Sequence, residues 1–426
     1  MTPTPLMEKA AALDRADPLA RFRAEFHVQP GEIYLDGNSL GLLCRPAEAA
    51  ARRVLGEWRA LGINGWTDAA PPWVDLPERI AAQLAPLVGA APERICLTAS
   101  TTGNLHQLLA TLFAPTPDRN VILGDELNFS SDAHAIVSHL RLRGLDPAKH
   151  YREVRSRDGR TLREDDIVAA MGPDVQLAVL PAVLFTSGQL LDLARLTREA
   201  HARGIVILFD CSHSVGAVPH ALDADGVDGA FWCSYKYLNA GPGAVGALYL
   251  HARHAGRAPG LAGWWGVKLS RRFAMSHTHE PADDAAAFHV GTPHLLSLAP
   301  LGGALELFTA AGGIAPLRAK SLALTRFLME AIDAELGGMG FSIANPRDDA
   351  ARGGHVALAH PEAWRLCQAL KAARVVPDFR QPDVIRLAPT ALYNSHADCV
   401  EAVARLKQIM LSRAHEKFAA RTGGVT

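Results

Sequence analysis

The chain has 426 residues, 49 % of them hydrophobic and 20 % charged, with Lys+Arg 43 against Asp+Glu 44 for a net charge of -1. This length supports a large core and two domains, and the balanced charge leaves no basic footprint for nucleic acid or an anionic membrane surface. The cysteines at 44, 96, 211, 233, 367 and 399 are scattered without a CxxC pair, which argues against a zinc site and a disulfide framework and fits a reducing compartment.

In chain order, the opening "MTPTPLMEKAAALDRADP" has no basic region leading into an apolar run. No signal peptide is expected there, and the chain reads as cytoplasmic. Short β-branched runs then alternate with helical stretches: "RICLT" (94–98) before "GNLHQLLATLF", "NVIL" (120–123) before "DAHAIVSHLRLR", and "QLAVLPAV" (176–183) before "LARLTREAHARG" and "GIVILFD" (204–210). Apolar strands separated by helices predict βαβ units and a mostly parallel sheet covered on both faces. The uncharged stretch from Ala285 to Leu305 is long enough to cross a bilayer, but its histidines, prolines and glycines suit a buried, loop-rich segment better. Beyond it come a long helical segment (315–336), short strands in "GGHVALAH" and "DVIRLAP", and a closing helix from His396. The expected organisation is an N-terminal arm (1–44) packing with the small domain, a large domain (45–305) and a smaller C-terminal α/β domain (306–426).

Ligands of open parallel sheets bind at the carboxyl ends of the strands. "GIVILFDCSHSVGA" puts Asp210 at such an end, and "FWCSYKYLN" carries Lys236 out of an otherwise apolar run. A buried ammonium is costly unless it is paired or put to chemical use. An acid at one strand end and a lysine shortly after it are what pyridoxal phosphate needs: an amine for a Schiff base and a carboxylate to hold the pyridine nitrogen protonated. Each residue also has a plain reading, Asp210 as a helix cap and Lys236 as a side chain reaching solvent from a strand edge. "TASTTGNLH" follows a strand and opens a helix, so the hydroxyls of Thr101 and Thr102 and the backbone N–H groups of Gly103 and Asn104 suit a phosphate, unless Ser100 or Thr102 only caps the helix. In "NFSSDAH", Phe129 is placed to stack on a planar ring and Asp132 to reach its edge, or else Phe129 is core and Asp132 a cap. The glycine run "NAGPGAVG" lacks the GxGxxG form of a nucleotide loop, and "HARH" and "HTHE" lack metalloprotease spacing.

Together these motifs resemble the kynureninases, fold-type-I pyridoxal-phosphate hydrolases of the class V aminotransferase-like group. The likeness spans most of the chain: "IYLDGNSLGLL" (33–43), "STTGNLH" (100–106), "NFSSDAHAI" (128–136), "FDCSHSVGA", "DGAFWCSYKYLNAGPG", "GLAGWWG" (260–266) and "IRLAPTALYNS" (385–395). The resemblance implies a large domain with a seven-stranded type of sheet plus a smaller α/β domain. It also implies roles. Lys236 would carry pyridoxal 5'-phosphate as a Schiff base and move protons, Asp210 would pair with the pyridine nitrogen, and His213 would lie close to the ring. Thr101, Thr102 and Tyr235 would hold the phosphate, with Tyr235 also relaying protons, while Phe129 would stack on the ring and Asp132 support its edge. Trp264 and Thr292 would reach the phosphate from a second subunit, making the active unit a homodimer. Arg386 would clamp the substrate carboxylate, because guanidinium matches carboxylate bidentately; Asn38, Ser39, Trp66 and Gly291 would line the substrate site.

The implied reaction is hydrolysis of the Cβ–Cγ bond of L-kynurenine to anthranilate and L-alanine, within tryptophan catabolism by the kynurenine pathway or in the supply of pyridine nucleotides. Animal members have Ser-Asn where this chain has Gly291 and Thr292, and a histidine near "GINGW". Both differences remove polar groups near the substrate ring and point to L-kynurenine over its 3-hydroxy form. A cofactor-binding serine of some members corresponds to Pro181 here, so no role is carried over to it. The competing reading is a cysteine desulfurase or selenocysteine lyase. Those relatives place a histidine directly before the lysine, where this chain has Tyr235, and use a mobile cysteine that none of the six supplies.

Overall fold

In the computed structural model, which describes residues 4–420, the alternating segments assemble into a seven-stranded sheet. Its strands in chain order are β1 (Ile95–Leu97), β2 (Val121–Asp125), β3 (Tyr151–Val154), β4 (Val175–Pro181), β5 (Val206–Asp210), β6 (Gly229–Cys233) and β7 (Gly246–Leu250). They lie side by side as β1-β7-β6-β5-β4-β2-β3. Only β7 runs antiparallel to its neighbours, β1 and β6; the other pairings are parallel. The near-continuous apolar runs follow from burial on both faces. Along β5, Ile207 and Phe209 enter one packed layer while Leu208 enters the layer on the opposite face, as the two-residue side-chain period requires.

A second sheet, antiparallel and four-stranded, is built from β8 (Ser342–Ile343), β9 (Val356–Ala359), β10 (Asp378–Arg380) and β11 (Val384–Leu387) in the order β10-β11-β9-β8. The arm divides its contacts: Leu19, Phe22, Phe26 and Cys44 join the hydrophobic cluster of the large sheet, and other parts pack with the second sheet. Ile33–Tyr34 pairs in parallel with Val375–Val376, and Ala10, Ile33 and Leu35 share a hydrophobic cluster with Leu328, Val356 and Leu406.

The uncharged stretch forms a buried turn at Ala285–Phe288 and then the helix Leu295–Ala310. That helix packs on Arg45–Leu61 so closely that a Cβ on Gly303 would meet the Pro46 carbonyl at 2.3 Å. The boundary expected at residue 305 falls inside this helix. The chain turns only at Gly312 and Gly313, both with positive φ, before the helix Ile314–Glu335 begins the smaller unit. Among the described residues no single helix is long and apolar enough to cross a membrane, although Leu295–Ala310 and Ile314–Glu335 together make one bent pair that meets the length and composition criteria.

Candidate active site

The carboxyl ends of β1, β2, β5 and β6 point to one edge of the large sheet, because β1 and β6 are both antiparallel to β7 and the rest are parallel to β6. There a cavity of about 300 Å³ is lined by Asn38, Ser39, Thr101, Thr102, Phe129, Asp132, Asp210, His213, Tyr235 and Lys236. Distant parts of the sequence reading therefore meet in one place.

Lys236 leaves the end of β6 through Ser234 and Tyr235 and is half-buried. Its backbone is held by the arm: Gly41 N–H donates to the Tyr235 carbonyl at 2.8 Å. A Cβ at position 41 would lie 2.4 Å from the Lys236 carbonyl, so only glycine permits that approach. Asn239 takes a left-handed φ of 57° and its side chain donates to the Tyr237 carbonyl at 2.8 Å, closing the turn after the lysine.

Asp210 ends β5 and is buried, with Oδ1 accepting the Ser212 N–H at 2.8 Å. Burial pushes its carboxyl above the usual range, while the charge of Lys236 and the Ser212 contact pull it back. Asp132 stands in the first turn of the helix Ser130–Leu142. Its carboxyl is raised by burial first, then by Asp210 and by Asp125 at the end of β2. Burial pushes His213 well below the usual range, with Lys236 and Arg386 adding to it, so the ring is neutral. Tyr235 is raised by burial and then by its contact with the Cys233 thiol, which keeps its proton on the hydroxyl.

Between β1 and the helix Thr101–Leu112, Ala99 adopts φ 48°, a conformation that costs a non-glycine residue about 1–2 kcal/mol. Strain of this kind concentrates where a loop is shaped for a ligand. The donor assignment in this loop needs correction. Gly103 N–H is taken by the Ser100 side chain at 3.2 Å and Asn104 N–H by the Ser100 carbonyl at 2.9 Å, so neither serves a phosphate. Ser100 is the cap, and Thr101 and Thr102 face the cavity, where Ser131 shares a 2.6 Å hydrogen bond with Thr102.

Other expected residues lie elsewhere in this chain. Trp66, expected against the substrate ring, packs edge-on to Trp73 at 6.0 Å and against Trp265 at 5.2 Å. Gly65 opens the space for Trp73, whose ring a Cβ there would meet at 2.3 Å. Trp264 is 41 % exposed and edge-on to Trp265 at 5.0 Å. Gly291 and Thr292 occupy an exposed loop, and none of the four lines the cavity of its own chain. Arg386 is fully buried and stands one hydrogen bond behind the lining: its Nη2 donates to Ser39 Oγ at 2.9 Å and its Nη1 to the Phe185 carbonyl at 2.7 Å.

The sequence reading missed Ser131, Phe185, Ser212 and Arg380, which line the cavity, and His355, fully buried 6.1 Å from His213. Phe185 stands edge-on to Phe129 at 5.5 Å. The available signal for Arg380 was "DFRQPDVIR", where Asp378 and Arg380 alternate onto one face of a strand.

The donor set fits pyridoxal phosphate. Asp132 Oδ2, Ser212 Oγ and His213 Nδ1 are buried at the cavity without a hydrogen-bond partner, a cost that a polar ligand relieves. Phe129, 46 % exposed at the mouth, presents an aromatic face. The carboxyl of Asp210, the amine of Lys236 and the hydroxyl-rich helix start at Thr101 match the ring nitrogen, the aldehyde and the phosphate in turn.

Comparison with known proteins agrees with this geometry. In solved structures the same fold occurs in the cystine C–S lyase C-DES bound to cysteine persulfide (21 % identity, TM-score 0.77, covering 89 % of this chain and 98 % of that one). It occurs also in the cysteine desulfurase CsdA of Escherichia coli (19 % identity, TM-score 0.77, covering 94 % and 99 %); at such identities the likeness is one of fold. The kynureninase C-terminal domain family matches residues 317–406. Over 414 residues, 97 % of this chain and 96 % of each relative, the sequence is 54 % identical to the kynureninase of Geobacillus thermodenitrificans (strain NG80-2) and 51 % identical to that of Bacillus thuringiensis subsp. konkukian (strain 97-27). With identity of that level along nearly its whole length, and with a lysine and an aspartate meeting at the strand ends, the chain belongs to the kynureninase family.

Proposed function

We propose that the chain hydrolyses the Cβ–Cγ bond of L-kynurenine to anthranilate and L-alanine, with pyridoxal 5'-phosphate bound at Lys236. The observation that carries this reading is the meeting of Lys236, Asp210 and the Thr101–Thr102 helix start on one cavity in a chain of this family. When bound, the cofactor supplies the electron sink for charge developing at the substrate's α- and β-carbons. Lys236 anchors it and then carries the α-proton, and Asp210 holds a proton on the ring nitrogen. Thr101, Thr102 and Tyr235 hold the phosphate, Phe129 covers the ring, and Asp132 and His213 border it. Asn38 and Ser39 border the substrate.

Water addition to the γ-carbonyl needs preorganised donors for the oxyanion. The Ser39 hydroxyl donates to Asp378 at 2.6 Å and accepts from Arg386, so its proton is directed away from the substrate. Tyr235 and His213, which line the cavity, are the candidate donors. The sulfur-transfer reading has little support in the geometry, since all six cysteines are buried and none lines the cavity.

Two copies complete the site in this reading, with Trp264 and Thr292 of each reaching the other's phosphate, Gly291 and Trp66 bordering the shared substrate ring, and Arg386 backing the carboxylate. Exposed apolar side chains at Trp58, Ile63, Trp264, Leu269 and Phe273 suit burial against a second copy. The test is direct. The cofactor-loaded protein should convert L-kynurenine to equimolar anthranilate and alanine, with kcat/KM higher than for 3-hydroxykynurenine. Sulfide release from cysteine without anthranilate formation overturns the proposal.

A further inference from the structure

The loop after β3, residues 155–162, ties two elements of the cavity together from outside it. β3 is the last strand of the large sheet and runs parallel to β2, so the loop leaves at the edge where the cavity lies. It is organised on one carboxylate. Asp158 Oδ1 accepts the Arg160 N–H at 2.8 Å and the Thr161 N–H at 2.7 Å, and Oδ2 accepts the Thr161 hydroxyl at 2.6 Å. Gly159 supplies the φ of 70° that the turn requires. From this turn the Arg160 side chain crosses to the smaller unit, where its Nη2 donates to both oxygens of Asp383, at 2.8 and 2.7 Å. Asp383 stands in the turn between β10 and β11, and its carbonyl accepts the His360 N–H at 2.9 Å.

Two residues beyond Arg160, Gln189 holds Leu162 by both backbone groups. The Leu162 N–H donates to Oε1 and the Leu162 carbonyl accepts from Nε2, each at 2.8 Å. Gln189 belongs to the bend closed by the Val183–Leu190 bridge, which also carries Phe185 into the cavity. The bend has backbone ties to the smaller unit as well: the Gly353 N–H donates to the Gly188 carbonyl at 2.7 Å and the Leu190 N–H to the Ala351 carbonyl at 3.0 Å. One short loop therefore braces the bend that brings Phe185 and the strand pair that brings Arg380, both of which line the cavity. The ion pair itself, with side chains 26 % and 29 % exposed, adds little to global stability. Small displacements of the walls of a site, in contrast, are felt in binding and turnover. We propose that Arg160 is a positioning residue of the active site: through Asp383 it fixes the β10–β11 turn against the Phe185 bend and so sets the width of the cavity.

Arg160→Gln, Asp383→Asn, their double variant and Arg160→Lys are compared as cofactor-loaded proteins in two measurements. The first, KM, rests on the reading of L-kynurenine as substrate; the second, amide hydrogen exchange followed by mass spectrometry, does not. Arg160→Gln and Asp383→Asn should each raise the KM for L-kynurenine about 2- to 5-fold with kcat nearly constant, the factor that one partly exposed ion pair supplies. Exchange in β10 and β11 should quicken by a similar factor while β5 is unchanged. The double variant should be no worse than either single one, and Arg160→Lys should stand between wild type and Arg160→Gln. An unchanged KM in both single variants, losses that add in the double variant, or unchanged exchange in β10 and β11 each overturns the proposal and leaves the parent reading intact. If wild-type protein does not hydrolyse L-kynurenine, the parent reading falls and the exchange measurement alone decides the brace.

Discussion

The two walls of the cavity are built on opposite terms. On the large-domain side, Asp132, Ser212 and His213 keep buried polar atoms without partners. On the side formed by the arm and the small sheet, Asp378, Ser39 and Arg386 are closed into one another by hydrogen bonds. The polar atoms of the first group call for a ligand; the three residues of the second satisfy one another as the chain folds. The difference assigns stability to one side and chemistry to the other. Substitutions in the first wall should therefore alter spectrum and turnover more than folding, whereas removal of Asp378 from the second should also cost stability.

The largest effect tests the first wall. Lys236→Ala should abolish the cofactor's visible absorbance and lower kcat by more than about 10²- to 10⁴-fold, the range for losing a positioned proton carrier, with the urea midpoint nearly unchanged. Retention of both absorbance and turnover breaks the comparison at its root. Asp210→Ala should follow, losing about 10²- to 10³-fold in exchange of the substrate α-proton while still binding cofactor weakly. On the other wall, Asp378→Asn leaves the enclosed Arg386 without its anion, and removal of one partner of a buried pair costs about 3–5 kcal/mol. Urea unfolding of the cofactor-free protein should show that loss. A Asp378→Asn variant as stable as wild type erases the distinction between the walls.

How much of this was legible in sequence divides along the same line. The large-domain wall is made of strand ends, and strand ends are marked locally: a Val/Ile run closing on Asp210, an apolar run broken by Lys236, a strand passing into "STTG". Local patterns also carried the seven-stranded sheet and the small unit that follows it. The second wall depends on cross-strand register, which places Asp378 opposite Arg386, and on docking that brings Ser39 of the arm to both. No local pattern specifies either, so Arg380, Asp378 and Phe185 went unread. The Gly103 and Asn104 amides were misassigned for a related reason: whether a first-turn N–H is free depends on which side chain caps it, and Ser100 took that role. Trp66 was placed by likeness alone; its neighbours are the nearby Trp73 and Trp265 from a distant segment.

The smallest effect compares two buried carboxylates by the sign of their pH dependence. Burial pushes the Asp125 carboxyl, at the end of β2, up to about 7, although its Oδ1 accepts the Leu127 N–H at 3.0 Å. Between roughly pH 4, where the unfolded chain releases that proton, and pH 7, the folded state binds more protons at Asp125 than the unfolded one. Stability from this group is present below that window and lost as pH rises through it. Burial pushes Asp378 up as well, but Arg386 and Arg380 overcome it and hold the carboxyl below its usual value. Its contribution is present above about pH 4 and lost as pH falls through the lower, folded value. Asp125→Asn should thus gain on the order of 1–3 kcal/mol relative to wild type on passing from pH 4 to pH 8, while Asp378→Asn should be most destabilising at pH 8 and converge on wild type in acid. Urea midpoints across that range read both. Parallel slopes for the two variants would mean that the two carboxylates are held on the same terms, Asp125 without a guanidinium to do it.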